Sequence, residues 1–342
     1  MTRVIVFLAT CLFPFYNCAP VHKQIVSDHY DGKKFYNPTL AKQFSPGLSD
    51  IIRMMREGRP KWPEKVATNG IHKLDEDLGT DGISLTFVNH ATFLIQLPGI
   101  NILTDPVWAK RVSPVSWFGP MRVRTPGIKM EELPVIHLVI ISHNHYDHLD
   151  LETLKKLGKR FSPKVLVPVG DKALVESVGI KDVQELDWWE SVQLNPDTRI
   201  TFTPAQHSSR RGLLDKDRSL WGSYFIQSNK HSVYFGGDAG YSTHYKEIKK
   251  RLGAPEFALL GIGVYEPNWF MKPMHMNPAE AVAAYMDLDA KLGIGMHFGT
   301  FQLASEEYDQ PQKELKAALE KMKISQDRFI TLQEGETKYI GR

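Results

Sequence analysis

Residues 142–150 read SHNHYDHLD, three imidazoles and two carboxylates in nine positions, directly behind the apolar run HLVII. Ionisable side chains crowded against a buried strand lose hydration, and a chain tolerates that only where each one gains a partner. The fold must therefore gather compensating groups around the point where this strand ends.

The same placement recurs. RITFTPAQH puts His207 just beyond an apolar run, SVYFGGD does so with Asp238, and LGIGMH with His297. With His143, His145, Asp147 and His148 behind HLVII, four strands each deliver imidazole or carboxylate at the C-terminal end. That edge is where layered α/β folds bind ligands. Neutral imidazole and carboxylate without thiolate suit zinc, manganese or iron. In an extended run His143, His145 and Asp147 share one face, and His148 needs a turn to join them. Five histidines and two aspartates exceed the needs of one tetrahedral ion; two ions sharing a carboxylate, about 3.5–4 Å apart, would use them all.

The rest of the chain fits a layered fold. From residue 83 onward, strand-like runs (ISLTFVNHATFLIQL, NILTDPVW, KVLVPV, RITFTPA, SVYFGG, FALLGIGV, LGIGMHFG) are interspersed with amphipathic stretches (LDLETLKKLGKRF, YKEIKKRL, PAEAVAAYMDL, QKELKAALEKM). This rhythm predicts an α/β or mixed layered domain. Residues 19–80 are polar and irregular, an extension and linker with one helical piece, SDIIRMMREG, so the domain is expected over 81–342. Before them, Arg3 and the apolar run VIVFLATCLFPF predict an export signal over residues 1–18, against the alternative of a buried first strand. Export would place the mature protein in the cell envelope or outside it. The chain's two cysteines, Cys11 and Cys18, both lie in that segment, which leaves no disulfide framework for the fold. Cys18 offers a lipidation site, although Asn17 departs from the small residue usual before one. The formal charge of +3, with basic residues scattered, argues against a nucleic-acid partner.

HxHxDH followed by a distant His, Asp and His resembles the metallo-β-lactamase superfamily. LTDPVW, LDWWE, PAQH, WGSY, GGDAGY, YEPNWFMK, HMNPAEAV and HFGTFQLA look like its N-acylphosphatidylethanolamine-hydrolysing phospholipase D branch, over roughly residues 80–342. The resemblance implies a four-layer αββα sandwich with two zinc ions at one edge, manganese or iron remaining open. It implies that His143, His145 and His207 hold one ion, that Asp147, His148 and His297 hold the other, and that Asp238 bridges. His90 and Asp105 would orient ligands, Asp147 would share in catalysis, and His275 would assist the leaving group. The implied reaction is attack of a metal-activated hydroxide on a phospholipid at a membrane surface, releasing N-acylethanolamine and phosphatidic acid; a homodimer is compatible with it. Trp269, Phe270, Met271, Met274 and Met276 read as core, or alternatively as a wall for acyl chains, and Ser208 and Ser209 as shaping the substrate wall. The rival readings are a hydrolase of another substrate (a lactone, a β-lactam or another phosphodiester), a non-catalytic metal- or lipid-binding envelope protein, and a di-iron redox protein.

Overall fold

A computed structural model describes residues 27–68 and 78–340; the expected export segment, with Cys11 and Cys18, lies outside the described residues. In chain order the elements are α1 (Leu48–Arg56), β1 (Ile83–Asn89), β2 (Thr92–Leu97), β3 (Ile100–Thr104), β4 (Leu138–Ile140), α2 (Leu151–Phe161), β5 (Lys164–Pro168), α3 (Lys172–Glu176) and β6 (Val183–Leu186). There follow β7 (Ser191–Asn195), β8 (Thr198–Thr203), β9 (Ser223–Gln227), β10 (Ser232–Phe235), α4 (His244–Leu252), β11 (Phe257–Gly261), α5 (Asn268–Met271), α6 (Pro278–Leu288), β12 (Leu292–Met296), α7 (Gln310–Lys321), β13 (Phe329–Thr331) and β14 (Thr337–Ile340).

Two seven-stranded sheets result, ordered β14-β1-β2-β3-β4-β5-β6 and β13-β12-β11-β10-β9-β8-β7. Each is antiparallel at one end and parallel at the other: β3 to β6 run parallel in the first, β10 to β13 in the second. The alternation of side chains explains the layering. In β4, Leu138 and Ile140 face the core shared by both sheets, while Val139 faces outward with Leu154 and Leu157 of α2. In β5, Leu166 points inward, and Val165 and Val167 outward. Strands buried on both faces read as unbroken apolar runs, as HLVII and KVLVPV do. With α6 against β11 on the far side, the fold is the expected α/β four-layer arrangement.

Caps fix where helices begin. Asp150, the last residue of SHNHYDHLD, accepts Glu152 N at 3.1 Å and Thr153 N at 3.2 Å, starting α2 directly after the histidine run. Asn277 and Glu280 form a reciprocal capping box ahead of α6, with Pro278 at its first position. The extension folds onto the domain: Phe35 and Trp62 are buried, and Trp62 Nε1 donates to Glu306 O at 2.9 Å. The helical piece SDIIRMMREG forms α1, and Leu48, Ile51 and Ile52 on it are exposed. Among the described residues no helix is long and apolar enough to cross a membrane.

Asp150 does more than cap, because its Oδ2 also accepts Ala109 N at 2.9 Å, Trp108 N at 3.2 Å and Thr153 Oγ1 at 2.6 Å. Asp150→Ala should therefore destabilise the fold by about 2–3 kcal/mol in urea unfolding. A loss below ~0.5 kcal/mol would show that the loop after β3 holds without it.

Candidate metal centre

The residues after β4 leave the sheet in a tight turn. His148 N and Leu149 N both donate to His145 O, at 3.1 and 2.9 Å. The turn brings His148 inward as expected, but it also corrects the expected common face of His143, His145 and Asp147. Because the chain bends between His145 and His148, Asp147 leaves the two histidines and joins a different group.

From the second sheet, β8 delivers His207, β10 delivers Asp238 and β12 delivers His297. Two sets of donors form. His143 Nε2 lies 2.8 Å from His145 Nδ1, which lies 3.2 Å from His207 Nε2. Asp147 Oδ2 lies 3.3 Å from His148 Nε2 and 3.2 Å from His297 Nε2. Asp238 stands between the sets. Its Oδ1 is 3.1 Å from His297 Nε2, and its Oδ2 is 3.2 Å from His148 Nε2, 3.8 Å from His207 Nε2 and 3.9 Å from His143 Nε2.

These spacings suit a shared cation. Donors about 2.0–2.1 Å from a tetrahedral ion lie roughly 3.3–3.4 Å from one another. Buried Asp238 Oδ1 also lacks a well-aligned hydrogen-bond partner among the described residues. The set of imidazole and carboxylate fits zinc, manganese or iron.

Electrostatics point the same way. Burial, reinforced by neighbouring imidazoles, pushes His143 well below the ordinary imidazole value; burial likewise takes His145 and His90 down to about 3. Burial also lowers His207. All four are thus neutral, the ligating form. Burial would raise Asp147 and Asp238, but His148 beside both outweighs it and holds them well below the carboxylate range. Burial opposes charge on His148 too, yet Asp238 and Asp147 raise it well above its usual value.

The surrounding side chains hold the donors in place. Asp105 accepts Ser142 N at 2.7 Å and Ser142 Oγ at 2.5 Å, and its Oδ2 lies 2.6 Å from His148 Nδ1. His90 Nε2 lies 3.0 Å from Asp147 Oδ2, while His90 O accepts His297 N at 2.8 Å. His275 stands at the rim, half-buried, with Nδ1 3.8 Å from Asp238 Oδ2 and its ring 5.1 Å from that of His207. Met274 and Met276 are core, whereas Trp269 is exposed and Phe270 and Met271 half-buried. Ser209 is buried and donates to Ser219 O at 2.5 Å, so it shapes no substrate wall; Ser208 is half-buried.

Sequence reasoning missed several supports. Asn37 Nδ2 donates to His207 O at 2.8 Å, and His207 N donates to Asn37 Oδ1 at 3.1 Å. Arg211 spans the histidine turn, donating to Asn144 O at 2.9 Å and Leu149 O at 2.8 Å, with its guanidinium 4.0 Å from the Tyr146 ring centre. The adjacency of Arg210 and Arg211 to His207 was the one available signal; Asn37 carried none.

Since Asp105 orients His148, Asp105→Asn should weaken metal retention about 10–100-fold. Metal content after dialysis against a competing chelator reads this, and unchanged retention would remove Asp105 from the account.

Comparison with known proteins follows the same lines. Residues 100–298 match the family described as the beta-lactamase superfamily domain. The chain is 36% identical over 330 residues to N-acyl-phosphatidylethanolamine-hydrolyzing phospholipase D 1 of Caenorhabditis elegans, covering 90% of this chain and 92% of that one. It is 38% identical over 228 residues to the mitochondrial N-acyl-phosphatidylethanolamine-hydrolyzing phospholipase D of Saccharomyces cerevisiae, 65% of this chain and 48% of that one. A metallo hydrolase from Ignicoccus hospitalis shares the fold at 22% identity, with a TM-score of 0.57 over 76% of this chain and 99% of that one. Fold, donor placement and similarity along nearly the whole chain converge: the protein belongs to the metallo-β-lactamase superfamily, in its N-acylphosphatidylethanolamine-hydrolysing phospholipase D-like branch.

Proposed function

We propose that the protein is a phospholipase D-type phosphodiesterase that hydrolyses N-acylphosphatidylethanolamine at a membrane surface. The observation that carries the reading is the division of six donors into two sets of three around Asp238. His143, His145 and His207 would hold one zinc, Asp147, His148 and His297 the other, and Asp238 both. Bound there, the ions would lower the pKa of a water towards neutrality and draw charge from the phosphoryl oxygens.

The chain's own residues supply the rest. His90 fixes Asp147, whose side chain is 12% exposed against 3% for Asp238, so Asp147 is the carboxylate better placed to accept a hydrogen bond from the attacking water and orient it. The water oxygen bonds to phosphorus and the bond from phosphorus to the ethanolamide oxygen breaks. Burial holds His275 at the rim well below the ordinary imidazole value, so it stands neutral; it takes up the proton that the attacking water loses and passes it to that oxygen, completing phosphatidic acid and an N-acylethanolamine.

The surface supports a lipid substrate. Val112 and Phe301 pack with Tyr146 beside the histidine turn, and the loop containing Val112 exposes Trp117 and Phe118. Just past Arg211, whose guanidinium covers the Tyr146 ring, Leu213 and Leu214 are exposed. Lys110, Arg111, Arg210 and Lys216 accompany these apolar tips, a pairing that suits an anionic bilayer surface. An export segment over residues 1–18 would bring the enzyme to an envelope membrane.

Protein lacking residues 1–18, incubated with N-acylphosphatidylethanolamine in detergent, should release both products by mass spectrometry and stop with a chelator. Asp238→Asn should lower the rate by about a hundredfold or more. Absence of products from metal-loaded protein would reject the substrate and pass the fold to the lactone and β-lactam alternatives. His275→Ala should keep its metal yet lose about a hundredfold in kcat on the lipid, and much less on a nitrophenyl phosphodiester whose leaving group needs no proton. Equal losses on both would remove His275 from leaving-group assistance.

A further inference from the structure

PAQH ends in two donors to the segment that carries His275. His207 Nε2 lies among the metal-centre donors, 3.2 Å from His145 Nδ1, while its Nδ1 lies 2.9 Å from Met274 O. A carbonyl only accepts, so Nδ1 carries the proton and the lone pair on Nε2 is left for a metal. Gln206, one residue earlier and 5% exposed, donates Nε2–H to Pro273 O at 2.9 Å. Two successive side chains thus grip two successive carbonyls, those of the residues just ahead of His275.

The backbone has to place the His275 ring. Its Nδ1 stands 3.8 Å from Asp238 Oδ2, beyond hydrogen-bond reach, and the ring centres of His207 and His297 lie 5.1 and 5.6 Å away. Met274 N and His275 N both donate to Met271 O, at 2.8 and 2.9 Å, a local bond pair that shapes the turn without tying it to the metal centre. Gln206 and His207 supply that tie. Gln206 is itself held: its Oε1 accepts Thr39 Oγ1 at 2.7 Å, and its backbone O accepts Gly240 N at 2.9 Å. A Cβ added at Gly240 would lie 2.5 Å from Pro273 O and 2.8 Å from Gln206 Nε2. Only glycine, two residues past Asp238, leaves room for the bond between Gln206 and Pro273.

On the reading that His275 protonates the leaving oxygen, we propose that Gln206 is the residue that positions it. The side-chain amide holds the Pro273 carbonyl, and with it the distance of the His275 ring from the metal centre. Relaying a proton from water to the leaving oxygen demands hydrogen-bond reach at both ends, about 2.6–3.2 Å, so a loop that drifts by about 1 Å forfeits it. Gln206 supplies no donor to the metal centre itself. Loosening its hold therefore tells on leaving-group protonation and spares metal binding.

Amide hydrogen exchange on the full metal-loaded chain tests this directly. Gln206→Met, similar in size but without the amide donor, should speed exchange at Met274 and His275 about five- to tenfold with metal content unchanged. Gly240→Ala, which crowds the same bond from the other side, should also speed it. On N-acylphosphatidylethanolamine, Gln206→Met should lower kcat about tenfold with KM within about twofold, and far less on a nitrophenyl phosphodiester. Added to His275→Ala, it should cost nothing further on the lipid. A purely structural role would instead slow both substrates alike. Unchanged exchange in the folded variants, or equal losses on the two substrates, would overturn the proposal. If the protein does not turn over that lipid, the exchange rates still decide whether Gln206 holds the loop, which separates this failure from that of the substrate.

Discussion

Everything in this protein is arranged around the mutual neutralisation of buried imidazoles and carboxylates where two sheets meet. Asp147 and Asp238 are ionised inside a protein interior, a state that is expensive unless cations or hydrogen-bond donors surround them. His148 and His297 stand against both carboxylates, and His148 is in turn held by Asp105. A metal would be held by these same groups, so folding and metal loading draw on one set of contacts.

The sheets make this arrangement affordable by being rigid. The histidine turn hangs from β4, which is flanked by β3 and β5, while His207, Asp238 and His297 follow strands of the other sheet. Close packing ties the sheets together at this edge. A Cβ added at Gly237, where φ is +55°, would lie 2.6 Å from Ser142 Cβ, so only glycine lets the approach to Asp238 pass the residue before His143. Donor positions are therefore set by strand ends and a close contact rather than by mobile loops.

Much of this was legible in the sequence because apolar strands and helical periodicity are local signals. HLVII, KVLVPV and FALLGIGV announce β4, β5 and β11, and the four helices α2, α4, α6 and α7 lie where amphipathic spacing put them. β7 carries only Val192 and Leu194 on its core face, both half-buried among polar neighbours, and β6, β9, β13 and β14 likewise lack a continuous apolar run such as HLVII. The donors were legible because each follows such a run. Of their supports, His90 and Asp105 came with the family resemblance, but others had no local signal: Asn37 reaches His207 across 170 positions, and Asp171 reaches Asn144 across 27, distances over which no spacing rule operates. The turn at His145 likewise overrode the alternation that an extended strand would have imposed.

The hold of Asn37 on His207 has a consequence for maturation. Asn37 satisfies both the backbone N–H and C=O of His207, and its Oδ1 also accepts Trp221 Nε1 at 3.2 Å. Were the chain cut anywhere ahead of Ser27, this clasp would stay whole. A cut that took Asn37 as well would remove Phe35 from the core and His29 from its stack on Trp188 together with the hold on His207. The integrity of the N-terminal arm would then act as a proofreading condition on the centre more than 100 residues downstream.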